Sequence, residues 1–309
     1  MTATTKRPEV SEHLAVLLNP SAGRGRLRGG GVDDVLAALA TAGREVRVLD
    51  AADEAAALAA AHRAVRDDGA YALVAVVGDG TLNLALQAVP GTDVPLGLVP
   101  AGTGNDFAAQ VGLPADPVAA ARVIATAVSG DRVRDLDLAR VDAADGYRRW
   151  FGAVLAAGFD AVVNEKANRM RWPKGPRRYD LAIVAELLRM RPRRYTLVLD
   201  GEPIEVDAML VAVGNTASYG GGLRICPAAD PTDGLLDVVV GARMTRLTMM
   251  RIKPRLYQGT HVDHPLVTSY RAATVEIHAE GITSYVDGER ACPLPLTVTS
   301  VPAALRLLA

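Results

Sequence analysis

Short apolar runs and amphipathic stretches alternate over the first 130 residues of the chain. Apolar runs with the length and composition of buried strands lie at 14–19, 71–77 and 94–99, and a further strand is predicted at 45–49. The stretches between them repeat apolar residues at helical spacing, and Asp53 and Asp116 stand at the start of two of them as capping residues. Apolar strands that alternate with helices predict a parallel, doubly wound α/β sheet.

The pattern changes near Arg132, where strand-like segments become closely spaced. Strands are predicted at 132–142, 148–157, 195–200, 203–213, 235–240, 272–278, 282–286 and 294–299, and helices at 160–190 and 245–258. Asp200-Gly201 and Asp287-Gly288 carry the signature of hairpin turns. We therefore predict an α/β domain over 12–131 and a mostly antiparallel, β-rich domain over 132–294, with a tail over 295–309 that could pack on either.

Composition narrows the class of protein. Half of the 309 residues are apolar, which is enough for two domains with cores of their own. A net charge of −1 provides no general attraction to nucleic acid. No apolar run reaches the roughly 18 residues of a membrane span, and residues 1–11 lack the apolar segment of a signal peptide. Two distant cysteines, Cys226 and Cys292, fit reduced thiols, so we expect a cytoplasmic protein.

Three glycine-rich loops follow predicted strands of the α/β domain. They are Asn19-Pro-Ser-Ala-Gly-Arg24, Gly78-Asp-Gly-Thr81 and Gly102-Thr-Gly-Asn-Asp106. In a parallel sheet such loops lie at one edge, at the carboxyl ends of the strands, where ligands bind. Glycines let the backbone approach an anion, and free N–H groups at a helix start attract phosphate. Asp79 in this setting favours a divalent cation between carboxylate and phosphate, and hence a nucleoside triphosphate with Mg²⁺.

Two common nucleotide-binding sequences are missing from the chain. There is neither a P-loop, Gly-x-x-x-x-Gly-Lys-Ser/Thr, nor a Gly-x-Gly-x-x-Gly followed by a distal acid. A P-loop NTPase and a dinucleotide-binding fold of that type are therefore not expected.

Acidic residues of the β-rich domain offer further candidates. Asp230-Pro-Thr-Asp-Gly-Leu-Leu-Asp237 fits either a plain turn before a strand or a site for a hard cation with oxygen ligands. Asp-Gly-Glu occurs at 200–202 and at 287–289, and these residues alone do not distinguish which of the two, if either, supplies a base. His261 and His264 have the spacing of a metal pair but lack an obvious third ligand, which favours a structural role.

A strongly basic segment covers residues 166–194. It holds ten Lys and Arg residues against Asp180 and Glu186, and Trp172 lies within it beside an apolar stripe. Such a segment could rest on an anionic membrane face as a peripheral contact, or it could form a solvated helix over the sheet. Both interpretations stay open at this point.

Five motifs occur in a fixed order along the chain, namely Asn19-Pro-x-Ala-Gly23, Gly78-Asp-Gly-Thr-Leu-Asn83, Pro100-x-Gly-Thr-Gly-Asn-Asp106, Asp233-Gly-Leu-Leu-Asp237 and Val286-Asp-Gly-Glu289. This order resembles the soluble diacylglycerol kinase family of bacterial lipid kinases, which is related to sphingosine kinases and more distantly to NAD kinase and phosphofructokinase. The likeness covers residues 13 to 300. It implies a nucleotide-binding α/β domain, a lipid-binding β-rich domain, and ATP with Mg²⁺ as cofactors.

The resemblance also assigns site residues by position. It implies ATP contacts at Asn19, Pro20, Ser21, Ala22, Gly23, Arg24, Gly78, Asp79, Gly80, Thr81, Leu82, Asn83, Leu84 and Thr103. It implies a structural Mg²⁺ site, partly built from backbone oxygens, at Asp230, Asp233 and Leu235. The second Asp-Gly-Glu matches the family's catalytic position, which makes Asp287 the general base and leaves Asp200 as a hairpin residue.

The expected activity is transfer of the γ-phosphoryl group of ATP to a lipid hydroxyl at a membrane surface, foremost diacylglycerol to phosphatidic acid. One alternative is a kinase of the same fold that acts on a sphingoid base, a polyprenol, or a soluble polyol or dinucleotide. The other is a catalytically silent regulator that binds nucleotide or lipid.

Overall fold

The computed structural model describes residues 13–18, 31–77, 79–102, 105–158 and 192–309. Its helices are α1 (Val32–Ala40), α2 (Glu54–Arg66), α3 (Asp79–Ala88), α4 (Asp106–Gln110), α5 (Pro117–Ser129) and α6 (Arg246–Gln258), with a 3-10 helix at Thr260–Asp263. Its strands are β1 (His13–Leu18), β2 (Glu45–Leu49), β3 (Ala72–Val77), β4 (Leu96–Pro100), β5 (Arg134–Asp142), β6 (Arg148–Phe151), β7 (Val154–Ala156), β8 (Arg193–Leu199), β9 (Glu202–Gly214), β10 (Leu236–Ala242), β11 (Val267–Ala272), β12 (Thr274–His278), β13 (Thr283–Val286), β14 (Glu289–Pro293) and β15 (Leu296–Leu307). Over these described residues, every helix is too short or too polar to cross a membrane.

The chain divides into two compact units. The first comprises the described residues up to Asp135 together with Ala304–Ala309, and the second is Leu136–Ala303. Strand β15 therefore begins in the second unit and ends in the first. The assignment of nucleotide to the first unit and of lipid to the second stays a prediction.

A parallel sheet in the order β2-β1-β3-β4 forms the centre of the first unit. Residues 14–17 and 72–75 have no exposed surface, and successive side chains of a strand point to opposite faces, so both faces of the sheet are covered. Helices α1 and α5 pack on one face through Val35, Leu39 and Ile124, while α2 and α3 pack on each other and on β3. The predicted doubly wound α/β fold is confirmed.

The end of the chain completes this sheet. Leu307 pairs in parallel with Leu96 of β4, and the Leu308 N–H donates to the Leu96 carbonyl at 2.9 Å. The Leu308 side chain has no exposed surface and belongs to the same core cluster as Leu39.

Antiparallel pairing dominates the second unit, as predicted. Its strands follow the order β14-β13-β7-β9-β8-β12-β15, with β10 paired to β9, β11 paired to β10, and the β5-β6 hairpin beside β15. Large side chains such as Phe151, Tyr195 and Ile277 fill one continuous core.

Two segments that the sequence predicts as single strands are each interrupted. The segment 148–157 separates into β6 and β7 at Gly152 and Ala153, and the segment 272–278 is interrupted at Ala273. In each case the amide N–H groups at the interruption donate to an aspartate side chain of a hairpin turn instead of to a neighbouring strand. Helix α3 also differs from the prediction, because it begins at Asp79, within the segment Gly78–Thr81 that the sequence predicts as a loop.

Candidate active site

The strands that precede the predicted phosphate-binding loops end together. Leu18 of β1 lies opposite Val76 of β3, and Val77 of β3 lies opposite Pro100 of β4. The three loops therefore leave the sheet at its carboxyl edge, which is the ligand-binding edge of such folds. Residues 19–24, Gly78 and Thr103 lie outside the described residues, so their predicted ATP contacts stay predictions.

The first turns of α3 hold the rest of the predicted ATP contacts. Asp79, Gly80, Thr81 and Leu82 are the first four residues of this helix, and the first four N–H groups of a helix have no partner within it. These N–H groups and the helix dipole suit a phosphate. The side chains of Leu82 and Leu84 are buried in the core, so each residue can contact a nucleotide only through its backbone. The N–H of Leu84 lies beyond the first four N–H groups of the helix, which are the ones without a partner in it.

Asn105 is a residue of this edge that the sequence analysis did not select. Its Oδ1 accepts the N–H of Gly102 at 3.2 Å, and its Nδ2 donates to the Gly102 carbonyl at 3.0 Å. These two bonds join Asn105 to Gly102, and residues 103–104 between them lie outside the described residues. The sequence does contain a signal for this role, because an asparagine stands three residues after a glycine in a loop. Asparagine side chains commonly close turns.

In the second unit, Asp287 occupies the turn between β13 and β14. Asp287 and Gly288 both have positive φ, 49° and 84°, as a type I′ hairpin requires. The Asp287 carboxylate accepts three backbone N–H groups, from Gly152 to Oδ2 at 3.0 Å and from Ala153 and Val154 to Oδ1 at 2.9 and 3.1 Å. A carboxylate has about four acceptor positions, so Oδ2 retains capacity for one further donor.

Asp200 occupies an equivalent turn between β8 and β9. Asp200 and Gly201 have φ of 48° and 93°, and the Asp200 carboxylate accepts the N–H groups of Ala273 and Thr274 at 3.2 and 2.8 Å. The two turns therefore have the same backbone geometry. This explains why the two Asp-Gly-Glu sequences do not by themselves show which one supplies a base. They differ in environment, because Asp200 is exposed and Asp287 is half-buried.

Burial sets the acidity of Asp287. Loss of hydration raises the pKa of its carboxyl group above the ordinary aspartate value, and the three backbone amides and Arg149 offset only part of that rise. A carboxylate with a raised pKa is a stronger base.

We expect this shift to appear in the pH dependence of catalysis. A general base must be ionised, so kcat/KM falls as the pH drops through the pKa of Asp287 in the free enzyme. Because burial raises that pKa, the acidic limb of the profile should lie above the value of about 3.9 of an unperturbed aspartate. Initial rates measured between pH 4 and pH 9 test this, and an acidic limb at or below about pH 4 would contradict it.

Asn215 fixes the segment that holds Asp287. Its Nδ2 donates to the Gly152 carbonyl at 2.9 Å and to the Asp137 carbonyl at 3.0 Å, and its own N–H donates to the Ala153 carbonyl at 2.8 Å. The side chain of Asn215 is fully buried. The position of the Asp287 carboxylate thus depends on a residue that carries no motif of its own and that the sequence analysis missed.

The loop that contains the predicted Mg²⁺ ligands is anchored by Asp137. This buried carboxylate accepts the N–H groups of Gly234 at 2.7 Å and Ala303 at 2.9 Å, and the Asp137 N–H donates to the Pro231 carbonyl at 2.7 Å. Asp137 is a second functional candidate that the motif search did not find. Asp137 therefore holds the turn between Pro231 and Gly234 in place. Its backbone carbonyl also accepts the hydrogen bond from the Nδ2 of Asn215.

The side chains of this loop supply oxygen atoms of the kind that Mg²⁺ prefers. Asp230 and Asp233 are exposed, and each uses Oδ1 for a local N–H, that of Thr232 at 3.0 Å and that of Leu235 at 3.0 Å. The Oδ2 atom of Asp233 is paired with Arg271. The two carboxylates and the Leu235 carbonyl fit a Mg²⁺ ion in chemical type, and the ion would compete with Arg271 for Asp233.

No three side chains of His, Cys, Asp or Glu come together as a metal site anywhere in the described ranges. The predicted site therefore depends on the backbone oxygen of Leu235. Nearby, burial raises the pKa of Asp237, whose Oδ2 lies 3.5 Å from the Arg271 guanidinium and has no hydrogen-bond partner in the described structure.

Other sequence candidates have structural explanations. His261 is buried in the 3-10 helix, where its Nε2 lies 3.0 Å from the Ile225 carbonyl. Cys226 and Cys292 are buried thiols that are not joined in a disulfide. Most of the basic segment 166–194 lies outside the described residues, and within it Arg193 and Arg194 belong to β8, where Arg194 pairs with Glu205.

The fold and the site define a class of protein. A parallel α/β unit with loops at its carboxyl edge is followed along the chain by a β-rich unit with a fixed, half-buried carboxylate. Two family models match in chain order, the diacylglycerol kinase catalytic domain over residues 13–141 and the YegS C-terminal NAD kinase beta sandwich-like domain over residues 153–309.

Individual proteins give the same result. A diacylglycerol kinase of Mycobacterium tuberculosis is 44% identical over 98% of this chain and 96% of its own length. The lipid kinase YegS of Escherichia coli is 29% identical over 78% of this chain and 79% of its own. The chain belongs to the diacylglycerol kinase family of lipid kinases, and it is accordingly a kinase.

Solved structures share the fold. A crystal structure of a diacylglycerol kinase from Bacillus anthracis superposes with a TM-score of 0.70 at 18% identity, and the match covers 96% of each chain. An NAD kinase from Archaeoglobus fulgidus in complex with ATP superposes with a TM-score of 0.53 at 15% identity, over 96% of this chain and 93% of that one.

Proposed function

We propose that this chain is an ATP- and Mg²⁺-dependent diacylglycerol kinase, which transfers the γ-phosphoryl group of ATP to the free hydroxyl of diacylglycerol and yields phosphatidic acid and ADP. The 44% identical relative is a diacylglycerol kinase, and an NAD kinase of the same fold binds ATP. The observation that carries the proposal is the Asp287 carboxylate, held by three backbone amides and made more basic by burial.

Asp287 acts as the general base in this proposal. Its Oδ2 accepts the proton of the lipid hydroxyl while the hydroxyl oxygen attacks the γ-phosphorus of ATP. The bond from the γ-phosphorus to the bridging oxygen breaks, and its electrons leave with ADP. Because the carboxylate is fixed in the folded enzyme, no torsional freedom is lost when the acceptor arrives, and such general-base help is worth about 10² to 10⁴ in rate.

The carboxyl edge of the parallel sheet binds the nucleotide in this proposal. The N–H groups at the start of α3 face the phosphates, and the loop 19–24 contributes the charge of Arg24. Magnesium neutralises phosphate charge when bound. Asp79 would hold or orient the Mg²⁺ complex of the nucleotide, and Asp230, Asp233 and the Leu235 carbonyl would hold a second, structural Mg²⁺.

A panel of acceptors tests the proposal. The purified chain is incubated with γ-labelled ATP, Mg²⁺ and dioleoylglycerol, sphingosine or a polyprenol in nonionic micelles, or with glycerol or NAD in solution. We expect label in phosphatidic acid, identified by mass spectrometry, and no transfer after chelation of Mg²⁺. Label in another acceptor at a higher rate would overturn the choice of diacylglycerol. Absence of transfer to every acceptor would overturn the kinase itself in favour of a silent regulator.

A further inference from the structure

Helix α6 of the second unit has a clear inner face. The helix begins at Thr245, whose Oγ1 accepts the N–H of Thr248 at 3.1 Å, and it ends at Gly259 with φ of 73°. Ile252 is its one buried apolar residue, at 7% exposure. Leu256, one turn further on, packs against a core cluster of the unit. This face attaches the helix to the body of the protein.

The opposite face of α6 carries a stripe of exposed apolar side chains. Leu247, Met250 and Tyr257 are 53%, 53% and 55% exposed, and Pro254 between them is exposed as well. At 3.6 residues per turn these four residues fall within an arc of about 80° that is centred opposite Ile252. Among the described residues, Val48 is the one other large apolar side chain with comparable exposure. The stripe is therefore a concentrated feature of one helix face.

Basic side chains border this stripe on both sides. Arg246 and Lys253 lie along one border and Arg251 along the other, and all three are exposed. The helix contains no Asp or Glu. Arg255, which lies 3.9 Å from Asp263, is half-buried toward the protein and does not belong to the border. An apolar stripe between basic borders is the pattern of a helix that lies in the plane of an anionic membrane surface.

We propose that the outer face of α6 docks this enzyme on an anionic lipid surface. Leu247, Met250 and Tyr257 insert at the level of the headgroups, while Arg246, Arg251 and Lys253 contact lipid phosphates. The proposal deepens the proposed function, on which it rests, because a kinase whose acceptor resides in a bilayer must reach that surface.

Charge favours a membrane over a second copy of the chain as the occupant of this face. In a two-fold dimer the same patch meets itself, so two rows of basic residues would face each other without an acid on either helix to pair with them. An anionic bilayer instead supplies the complementary charge.

Vesicle binding tests the docking face directly. Wild-type protein is centrifuged with vesicles of phosphatidylglycerol and phosphatidylcholine in equal parts, and with vesicles of phosphatidylcholine alone. We expect binding to the anionic vesicles that weakens at high salt. The triple change Arg246→Gln, Arg251→Gln and Lys253→Gln should lower the partition coefficient on the order of a hundredfold. Leu247→Ser with Met250→Ser should lower it about twentyfold, because half-exposed side chains gain part of the full burial term.

Control variants separate this face from surface changes in general. Val48→Ser removes a comparable exposed apolar side chain, and Arg63→Gln, Arg66→Gln and Arg122→Gln together remove three exposed charges of the first unit. These controls should bind vesicles like the wild type. Wild-type binding by both α6 variants would overturn the proposal, as would a dimeric wild type that the α6 changes convert to monomer without loss of vesicle binding.

Activity measured on a dispersed substrate distinguishes a failure of the docking proposal from a failure of the proposed function. With short-chain diacylglycerol in nonionic micelles, the triple variant of Arg246, Arg251 and Lys253 should retain the wild-type rate, because no anionic surface is present. A chain that binds vesicles through α6 but phosphorylates no acceptor would support the docking face and contradict the proposed kinase activity. A large loss of micellar activity in the triple variant would contradict a purely docking role.

Discussion

Asp287→Asn should lower kcat by about 10² to 10⁴ while the Kd for ATP stays near its wild-type value. The amide cannot accept the acceptor's proton, and the ATP contacts proposed for the first unit do not involve Asp287. The substitution also turns one carboxylate oxygen into an NH₂ donor that faces a backbone N–H, at a cost to stability of about 1–3 kcal/mol. Steady-state kinetics, ATP binding by calorimetry and a thermal melt measure these three effects separately.

Asp200→Asn is the matched control for this change. It places the same amide in a turn of the same geometry, opposite two backbone N–H groups where Asp287 faces three, so it disturbs the turn in the same way but at an exposed position. We expect the Asp200 variant to lose stability but to keep kcat. If both variants lose kcat alike, the effect belongs to the β-rich unit's stability and Asp287 is not the base.

Asn215→Ala should destabilise the second unit by about 2–5 kcal/mol, because it leaves the buried carbonyls of Gly152 and Asp137 without the Nδ2 donor. Release of the 152–154 segment also lets the Asp287 carboxylate move. Misplacement of a catalytic group by about 1 Å costs on the order of 10²-fold in rate, so kcat should fall by about 10- to 100-fold below the melting temperature. The Kd for ATP should change little.

Ser284→Ala controls for the loss of a buried hydrogen bond as such. Ser284 is fully buried and donates to the carbonyl of Cys292 on β14 at 2.7 Å. This variant should lose stability with kcat preserved. Wild-type kcat in the Asn215 variant at a temperature where it is folded would show that Asn215 is structural only. A shift of the acidic limb of the pH profile in that variant would support its positioning role.

The α/β unit could be predicted from the sequence in most of its elements. Three of its strands, β1, β3 and β4, are short and almost entirely apolar. Its helices carry strong boundary signals, such as Asp53 and Asp116, whose side chains accept the N–H groups of Ala56 and Ala119. These signals are local, and each is sufficient without knowledge of distant residues. The short helix α4 was missed because its five residues are too few to show helical periodicity.

The interrupted strands of the β-rich unit could not be predicted, because their cause is remote in sequence. Gly152 and Ala153 leave the strand pattern only because Asp287, more than 130 residues later, accepts their N–H groups. The interruption at Ala273 depends in the same way on Asp200. Neither interruption has a signature in its own segment, apart from the glycine at 152.

The candidate site shows the same difference between residues with a local sequence signal and residues whose role depends on remote contacts. Motifs identify Asp287 and the loop 230–235, since turns and glycines have local signatures. The residues that hold these motifs in place, Asn215 and Asp137, lie within or beside apolar strands. A buried polar residue in a strand becomes informative only when its partners are known.

Single-turnover transfer tests the central claim most directly. Excess enzyme is mixed with γ-labelled ATP, Mg²⁺ and diacylglycerol in micelles, the reaction is quenched at intervals, and the label is followed in wild type, Asp287→Asn and Asp200→Asn. The account predicts rapid appearance of labelled phosphatidic acid with the wild type and the Asp200 variant, and transfer at least a hundredfold slower with the Asp287 variant. Transfer at the wild-type rate by the Asp287 variant would contradict the account.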